Sequence, residues 1–366
     1  MDHRNTNSAK LTAGIDVGDR QSVVTFVDNR SGEVVRRMRI GTTREDLRRA
    51  FGRYRGLRVA LETGTHSPWI AEELKALGHK PLVANSRRLH LISKNVRKND
   101  RNDSELLARL ARADERLLSP VRHRKEEVRR DLALFRTREK LVEMRKQLVM
   151  SIRFTCKSFG WSVPTTSMAA FVKEVVPELP AELMYIVSSQ VEVLKALNEQ
   201  IRELDRRLEE LSRERYPVTE LLRQVPGVGP LTALCFVLVI EDPHRFSRGR
   251  KVASYLGLTP RQDQSGSRDP SLPISKAGDA GLRRLLVQCA QHIMGPFGAD
   301  TDLRRYGERI LARQASPGGK RKAVVAVARK LAVVLHHLWR AGVEYEPLYE
   351  SQKRGVESTK GAASMN

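Results

Sequence analysis

Leu11-Thr12-Ala13-Gly14-Ile15-Asp16-Val17 is the stretch whose reading decides the fold. Short and mostly apolar, it reads as a buried strand with a carboxylate, Asp16, inside it. Gly18-Asp19 supplies a turn, Ser22 to Asp28 a second strand, Asn29-Arg30-Ser31-Gly32 another turn, and Glu33 to Ile40 a third strand. The chain therefore opens as an antiparallel meander. Thr42 or Thr43 can cap a helix through Tyr54, with Asp46 in a capping-box-like position after Thr43. Leu57 to Leu61 is a fourth apolar strand that Glu62 ends. Pro68 starts a helix through Leu77, Gly78 ends it, and Lys80 to Ala84 is a fifth strand.

Three strands followed by helix, strand, helix, strand and helix is the order of a ribonuclease-H-like α/β domain. In that order the first and fourth strands are neighbours, so Asp16 and Glu62 fall side by side. Lys98-Asn99-Asp100-Arg101-Asn102-Asp103 then opens a helical run from Ser104 to Leu110. Asp100 and Asp103 lie three apart and can share one helix face, and the last helix brings them to the same sheet edge. Hard divalent cations prefer oxygen ligands, and a pair of them about 3.5–4 Å apart can activate an attacking oxygen and stabilise a leaving one. Asp16, Glu62, Asp100 and Asp103 are thus the candidate ligands of a magnesium site for phosphodiester chemistry. Singly, each has an ordinary reading, Asp16 as a turn residue and Asp100 as a helix cap. Asp19, Asp28 and Glu105 are weaker candidates. His66, four after Glu62, reads as a hydrogen-bonded structural histidine or as an aid to proton transfer.

Composition narrows the partners. The 366 residues carry 66 Lys and Arg against 43 Asp and Glu, a net charge of +23, and suggest two or three domains. Hydrophobic residues make up 40%, enough for a proper core and against a disordered chain. A positive field of that size attracts polyanions, nucleic acid foremost. Aromatics are only 5%, so contacts to phosphate and helix shape are favoured over base stacking. Cys156, Cys235 and Cys289 are scattered, which supports neither a disulfide framework nor a zinc site and points to an intracellular protein. The polar N-terminus lacks the apolar core of an export signal, and no apolar run reaches membrane-spanning length.

Pro120 marks a boundary. From about Lys125 to Phe159 the chain turns helical and charged, with Val128, Leu132, Phe135, Leu141, Met144, Leu148 and Ile152 at helical spacing. After a proline-punctuated connection, a second long helix from about Ala181 to Arg215 carries Val187, Val191, Leu194, Ile201, Leu204, Leu208 and Leu211 in heptad-like register. The two form an antiparallel hairpin or pair with another chain. Pro217 stops the second helix. Val225-Pro226-Gly227-Val228-Gly229-Pro230, leading into the apolar helix Leu231 to Ile240, resembles a helix-hairpin-helix, whose glycines and exposed amides can hold a phosphate. The alternative is an ordinary glycine turn. Tyr255-Leu256-Gly257-Leu258 precedes a polar loop, Arg261 to Arg268, in which Ser265 sits in a Gln-Ser-Gly turn, where serine ordinarily bonds only its own backbone. Arg261, Arg268 and Lys276 could supply charge for a phosphate, and Arg283 lies near the start of the helix Gly281 to Ile293. Lys320 to Arg340 is a further basic helix, and residues from Glu350 read as a solvated tail. Gly318-Gly319-Lys320-Arg321 lacks the Walker spacing and follows no strand, so ATP use is unsupported.

Taken jointly and in order, Ile15-Asp16-Val17, Glu62-Thr63-Gly64, the Lys98–Asp103 run, Val225-Pro226-Gly227-Val228-Gly229, Tyr255-Leu256-Gly257-Leu258 and Ser265-Gly266 with Ile274-Ser275-Lys276 resemble the DEDD transposases of insertion sequences, the IS-one-ten family, over nearly the whole chain. The resemblance implies a RuvC-like catalytic domain over residues 1–120, binding Mg2+ through Asp16, Glu62, Asp100 and Asp103. It implies a helical coiled-coil arm over 121–216, a mainly helical transposase domain over 217–349 and a tail over 350–366: α/β plus α overall. It further implies that Ser265 attacks DNA and becomes linked to a phosphate, with Gly227, Gly229, Arg261, Arg268, Lys276 and Arg283 on the nucleic-acid-binding side. The family loop often reads Ser-Ser-Gly-Gly, whereas this one reads Gln264-Ser265-Gly266-Ser267, leaving Ser267 and Ser275 as other nucleophile candidates. Also implied are donor and target DNA, a bridge non-coding RNA that pairs with them, a tetramer whose composite sites take acids from one subunit and serine from another, and a bacterial cytoplasmic location at the nucleoid. A hydrolytic nuclease or Holliday-junction resolvase using the same acids on water is the rival reading, and a non-catalytic scaffold the next.

Overall fold

A computed structural model describes residues 10–86, 100–262, 272–313 and 318–353, and for residues 100 and 101 the backbone alone. Contacts divide the chain into two units, Met1–Arg124 and Lys125–Asn366.

The first unit is built on a sheet of β1 (Leu11–Asp16), β2 (Gln21–Asp28), β3 (Val34–Gly41), β4 (Arg58–Glu62) and β5 (Lys80–Ala84), in the order β3-β2-β1-β4-β5. The meander β1-β2-β3 is antiparallel, and β1, β4 and β5 are parallel. Helices α1 (Arg44–Phe51), α2 (Ser67–Ala76) and α3 (Asp100–Ala113) flank it. Strand alternation sorts the two faces. Ala13, Ile15, Val24, Phe26, Val59 and Leu61 enter a core closed by Leu47 and Phe51 of α1 and by Ile70 and Leu74 of α2. Ala60, Leu82 and Ala84 turn to the opposite face, where Leu107 and Ala111 of α3 cover them. Thr43 caps α1 by accepting a hydrogen bond from the Asp46 amide at 3.2 Å. The helix stops short of the expected Tyr54, because the Gly52 amide closes it on the Arg48 carbonyl and Tyr54 stacks on Phe26 with ring centroids 5.0 Å apart.

His79 closes the same core. Its Nδ1 accepts from the Leu57 amide and its Nε2 donates to the Phe51 carbonyl, both at 3.3 Å, which fixes the neutral tautomer. Burial holds its pKa below the ordinary imidazole value. As the pH falls through about 6.5, the unfolded chain takes up a proton that the folded one refuses, so stability falls until the folded-state pKa is reached. His79→Gln is expected to flatten the dependence of the unfolding midpoint on pH between about 7 and 5. An unchanged slope would show that other groups carry it.

In the second unit the long helices α4 (Glu126–Ser158) and α5 (Ala181–Arg215) pair antiparallel within the chain, one of the two arrangements the sequence left open. Arg138 meets Asp205 at 2.7 Å and Arg145 meets Asn198 at 3.3 Å. Towards the turn, Val149, Ile152 and Cys156 pack on Val187, Val191 and Leu194. Met144, expected in the apolar stripe, is 37% exposed, although the middle of the hairpin buries Leu197, Ile201 and Leu204 beside its polar pairs.

Besides a single turn at Phe171–Glu174, the helices that follow are α6 (Val218–Arg223), α7 (Pro230–Ile240), α8 (Gly249–Tyr255), α9 (Ala280–Ile293), α10 (Asp302–Ala312) and α11 (Gly319–Ala341). Helix α7 is apolar on every side and buried from Thr232 through Ile240, so the others assemble around it. Helix α10, which the sequence reading did not anticipate, starts where Thr301 accepts from the Arg304 amide at 3.1 Å. No described helix is long and apolar enough to cross a membrane.

Candidate active site

The register aligns Asp16 with Glu62. Gly14 pairs with Ala60 and Ile15 with Leu61 across the parallel β1–β4 contact, so the next residues, Asp16 and Glu62, end the two strands side by side. Ala60 lies under α3, and by alternation Glu62 shares its face. Gly14 lies under α3 as well: a Cβ built on it would stand 2.0 Å from the Ser104 carbonyl oxygen and 2.6 Å from the Ala108 amide. Asp16, two residues on, therefore turns to the α3 side too.

The direction of α3 follows from its bonds. Near its C-terminal end, the Arg112 side chain donates to the Asn29 carbonyl at 3.2 Å and the Ala111 carbonyl accepts from Arg58 at 3.4 Å. Asn29 and Arg58 lie where β1 and β4 begin, since the Asn29 amide bonds Lys10 and Arg58 pairs with Thr12. The N-terminal end of α3 consequently faces the ends of β1 and β4, where Asp16 and Glu62 are. Buried Ser104 is tied to Thr25 of β2 by a 2.8 Å hydroxyl–hydroxyl bond, and Asp103 beside it is 7% exposed, on the sheet side. Asp100 is the first residue of α3, and its side chain lies outside the described residues. Among the described residues, no three His, Cys, Asp or Glu groups gather closely enough to hold a metal ion. The donor set nonetheless suits a hard divalent cation: oxygen ligands alone, two of them on adjacent strand ends.

The weaker candidates have other partners. Asp28, at the far end of β2, accepts from the Arg30 and Ser31 amides at 2.8 Å, and the Ser31 and Arg30 amides hold its carboxyl below the usual range. Glu105 is bound by Arg37 at 2.5 Å and Arg109 at 2.8 Å. His66, on the loop after β4, accepts from the Trp69 indole at Nδ1 over 3.1 Å, which leaves Nε2 to donate to Asp19 at 3.2 Å. It is structurally engaged at both nitrogens.

The second unit presents the other candidates. Gly227, at φ +88°, turns the chain between α6 and α7 and packs against α9, where a Cβ would meet the His292 ring at 3.1 Å. Gly229 is exposed and stands at the N-cap, just before α7. Further on, residues 257–261 and 273–276 form a short ladder through Arg261 amide to Pro273 at 3.0 Å, Ser275 amide to Thr259 at 2.8 Å and Lys276 amide to Gly257 at 3.1 Å. Ser265, Ser267 and Arg268 belong to the connecting residues 263–271, which lie outside the described residues. Arg261 and Lys276 stand exposed at the base. Lys276 holds a left-handed backbone at φ +54°, uncommon for a residue with a Cβ. Two glycines crowd it into place: a Cβ on Gly257 would lie 2.5 Å from the Ala277 amide, and one on Gly278 2.1 Å from the Tyr255 carbonyl. Arg283 has a role the sequence did not reveal. It donates to the Leu256 and Gly278 carbonyls at 3.1 and 3.3 Å and so clasps this crossing.

A mixed five-stranded sheet whose β1 and β4 end on carboxylates, followed in the chain by a helical unit and carrying a strong positive charge, fits a protein that acts on nucleic acid. Comparison gives the family. A transposase model of the DEDD IS110 type matches residues 13–158, and the model "Transposase IS116/IS110/IS902 family" matches residues 219–305. The transposase for insertion sequence element IS1328 of Yersinia enterocolitica is 30% identical over 240 residues, 64% of this chain and 70% of that protein. The transposase for insertion sequence element IS1111A of Coxiella burnetii is 30% identical over 249 residues, 65% of each. A probable family 20 transposase of Pseudomonas aeruginosa is 26% identical over 341 residues, 91% of this chain and 98% of that protein. The chain belongs to the IS110 family of insertion-sequence transposases.

Proposed function

We propose that the chain is a magnesium-dependent DNA recombinase that moves its insertion sequence through a serine–DNA phosphate intermediate. The observation that supports it is the side-by-side ending of β1 and β4 on Asp16 and Glu62, with the N-terminal end of α3 directed at the same edge. Asp16, Glu62, Asp100 and Asp103 are the residues that would hold the cation. When bound, it would neutralise charge on the scissile phosphate and ease loss of a hydroxyl proton. Ser265 supplies that hydroxyl: its Oγ bonds to phosphorus while the bond to one sugar oxygen breaks, and the proton the serine gives up ends on that oxygen, so the freed strand end leaves as a hydroxyl. Because one phosphoester replaces another, rejoining needs no ATP. Arg261, Arg268 and Lys276 balance the phosphate charge. The Gly227–Gly229 turn works as a helix-hairpin-helix that offers backbone amides to a second phosphate.

The net charge of +23 suits binding of both DNA strands and a bridge RNA, which would leave choice of sequence to base pairing. The paired long helices serve as the arm through which subunits assemble into a tetramer. The test is a denaturing gel of end-labelled DNA after reaction with the full chain and its element RNA. A protein-linked band lost in Ser265→Ala supports the reading. Cutting that persists in Ser265→Ala without any linked band overturns it in favour of hydrolysis, and no cutting by the unaltered chain overturns it outright.

A further inference from the structure

The sheet carries a cation on the same lateral row as the acids. Along the row that α3 covers, Arg37, Thr25, Gly14, Ala60 and Leu82 are successive register partners from β3 to β5. Two residues further along lies the row at the edge where β1 and β4 end: Arg39 pairs with Val23, Val23 with Asp16, and Glu62, next to Asp16, with Ala84. Alternation on β3 exposes Val35, Arg37 and Arg39 and turns Arg36, Met38 and Ile40 the other way, Met38 and Ile40 into the core under α1. Arg37 reaches Glu105 of α3, which fixes the exposed face of β3 as the α3 face. Arg39 therefore points to the side on which Asp16 and Glu62 end. Two strand spacings separate it from Asp16, roughly 10 Å.

The two arginines differ in what they meet. Arg37 is bound to Glu105 at 2.5 Å, whereas among the described residues no carboxylate pairs with Arg39, which is exposed. Only the apolar Val23 stands between it and the acids on this row. A duplex places one phosphate per strand about every 3.4 Å of axis, so a strand whose scissile phosphate sits at Asp16 and Glu62 passes Arg39 within about three nucleotides. A planar guanidinium with parallel N–H donors fits a phosphate in two-point contact.

We propose that Arg39 holds a backbone phosphate of the DNA strand being cut and sets the direction in which that strand crosses the sheet edge, from Glu62 and Asp16 towards β3. The proposal rests on the reading of Asp16 and Glu62 as the cutting site. Its test uses the full chain and a labelled duplex in EDTA, where binding is measured without cutting. Arg39→Ala is expected to weaken binding about three- to tenfold and to reduce the slope of log affinity against log salt by about one. Arg39→Lys keeps the slope, and Arg36→Ala, on the other face of the same strand, changes neither. With Mg2+, Arg39→Ala is expected to raise the half-saturating DNA concentration and leave the saturated cutting rate within about twofold. An Arg39→Ala slope equal to that of the unaltered chain, or to that of Arg36→Ala, overturns the contact. The two readings fail separately. Normal cutting by Asp16→Asn would remove the cutting site while the EDTA slopes still reported the contact, and Asp16-dependent cutting with an unmoved Arg39→Ala slope would remove the contact alone.

Discussion

Asp16→Asn and Asp103→Asn are each expected to lower strand cutting by at least ~100-fold, the scale on which loss of one preorganised electrostatic contact acts. DNA binding in the same variants stays close to that of the unaltered chain and equally sensitive to salt. The separation follows from where charge sits. Binding draws on a surplus spread over the whole molecule, +23 in net, so one altered carboxylate changes little. In the proposed mechanism cutting draws on a few oxygens at the β1–β4 edge, and an amide there offers one neutral oxygen where a carboxylate offered charge and two. Asparagine matches aspartate in shape, so Asp103, 7% exposed, can be exchanged without opening a cavity. Glu105→Gln is the control. It alters the carboxylate two residues beyond Asp103 but one already bound to Arg37 and Arg109, so cutting is retained. The rate of labelled-strand cleavage at saturating DNA decides, and normal rates in both aspartate variants would remove the site.

The N-terminal sheet was readable because its signals are local. Glycine and asparagine turns separate short apolar runs, and alternation sets each run's face, so the β1–β4 neighbourhood followed from strand order. The long helices were readable from apolar spacing, but the exposure of Met144 was not, because spacing assigns a residue to a face and only the facing helix decides how much of that face is covered. Helix α10 escaped for a related reason. Its middle carries Gly307, which reads as a breaker, yet a Cβ there would lie 2.2 Å from the Met294 sulfur. What looks like a helix-weakening residue is a packing requirement set by a neighbour distant in sequence. Arg283 and Arg39 show the same limit from the polar side. In sequence both are basic residues on a basic chain. Only the fold separates an arginine clasping two carbonyls from one left exposed on the row of Asp16.

Gly14 carries that argument to its largest consequence. Gly14→Ala is expected to destabilise the first unit by about 1–3 kcal/mol or more and to depress cutting by on the order of a hundredfold even where the variant remains folded. Alanine suits a strand better than glycine does, so local preference alone would favour the change. The obstacle is α3: the new Cβ would lie 2.0 Å from the Ser104 carbonyl oxygen, 2.6 Å from the Ala108 amide and 3.1 Å from the Leu107 Cβ. The two closest atoms are helix backbone, so no rotamer change relieves them, and ordinary contact at 3.4–4 Å requires the helix to lift by more than an ångström. Lifting stretches the 2.8 Å Ser104–Thr25 bond and carries Asp103, the adjacent residue, away from the strand ends that hold Asp16 and Glu62. Gly64→Ala is the matched control: it lies just past Glu62, and a Cβ there meets nothing within 4 Å. Chemical denaturation and the cleavage rate, measured on both variants, should separate them clearly. A Gly14→Ala chain that unfolds and cuts like its Gly64→Ala counterpart would mean that α3 does not rest on β1, and with that the proposed approach of Asp103 to the other acids would lose its structural basis.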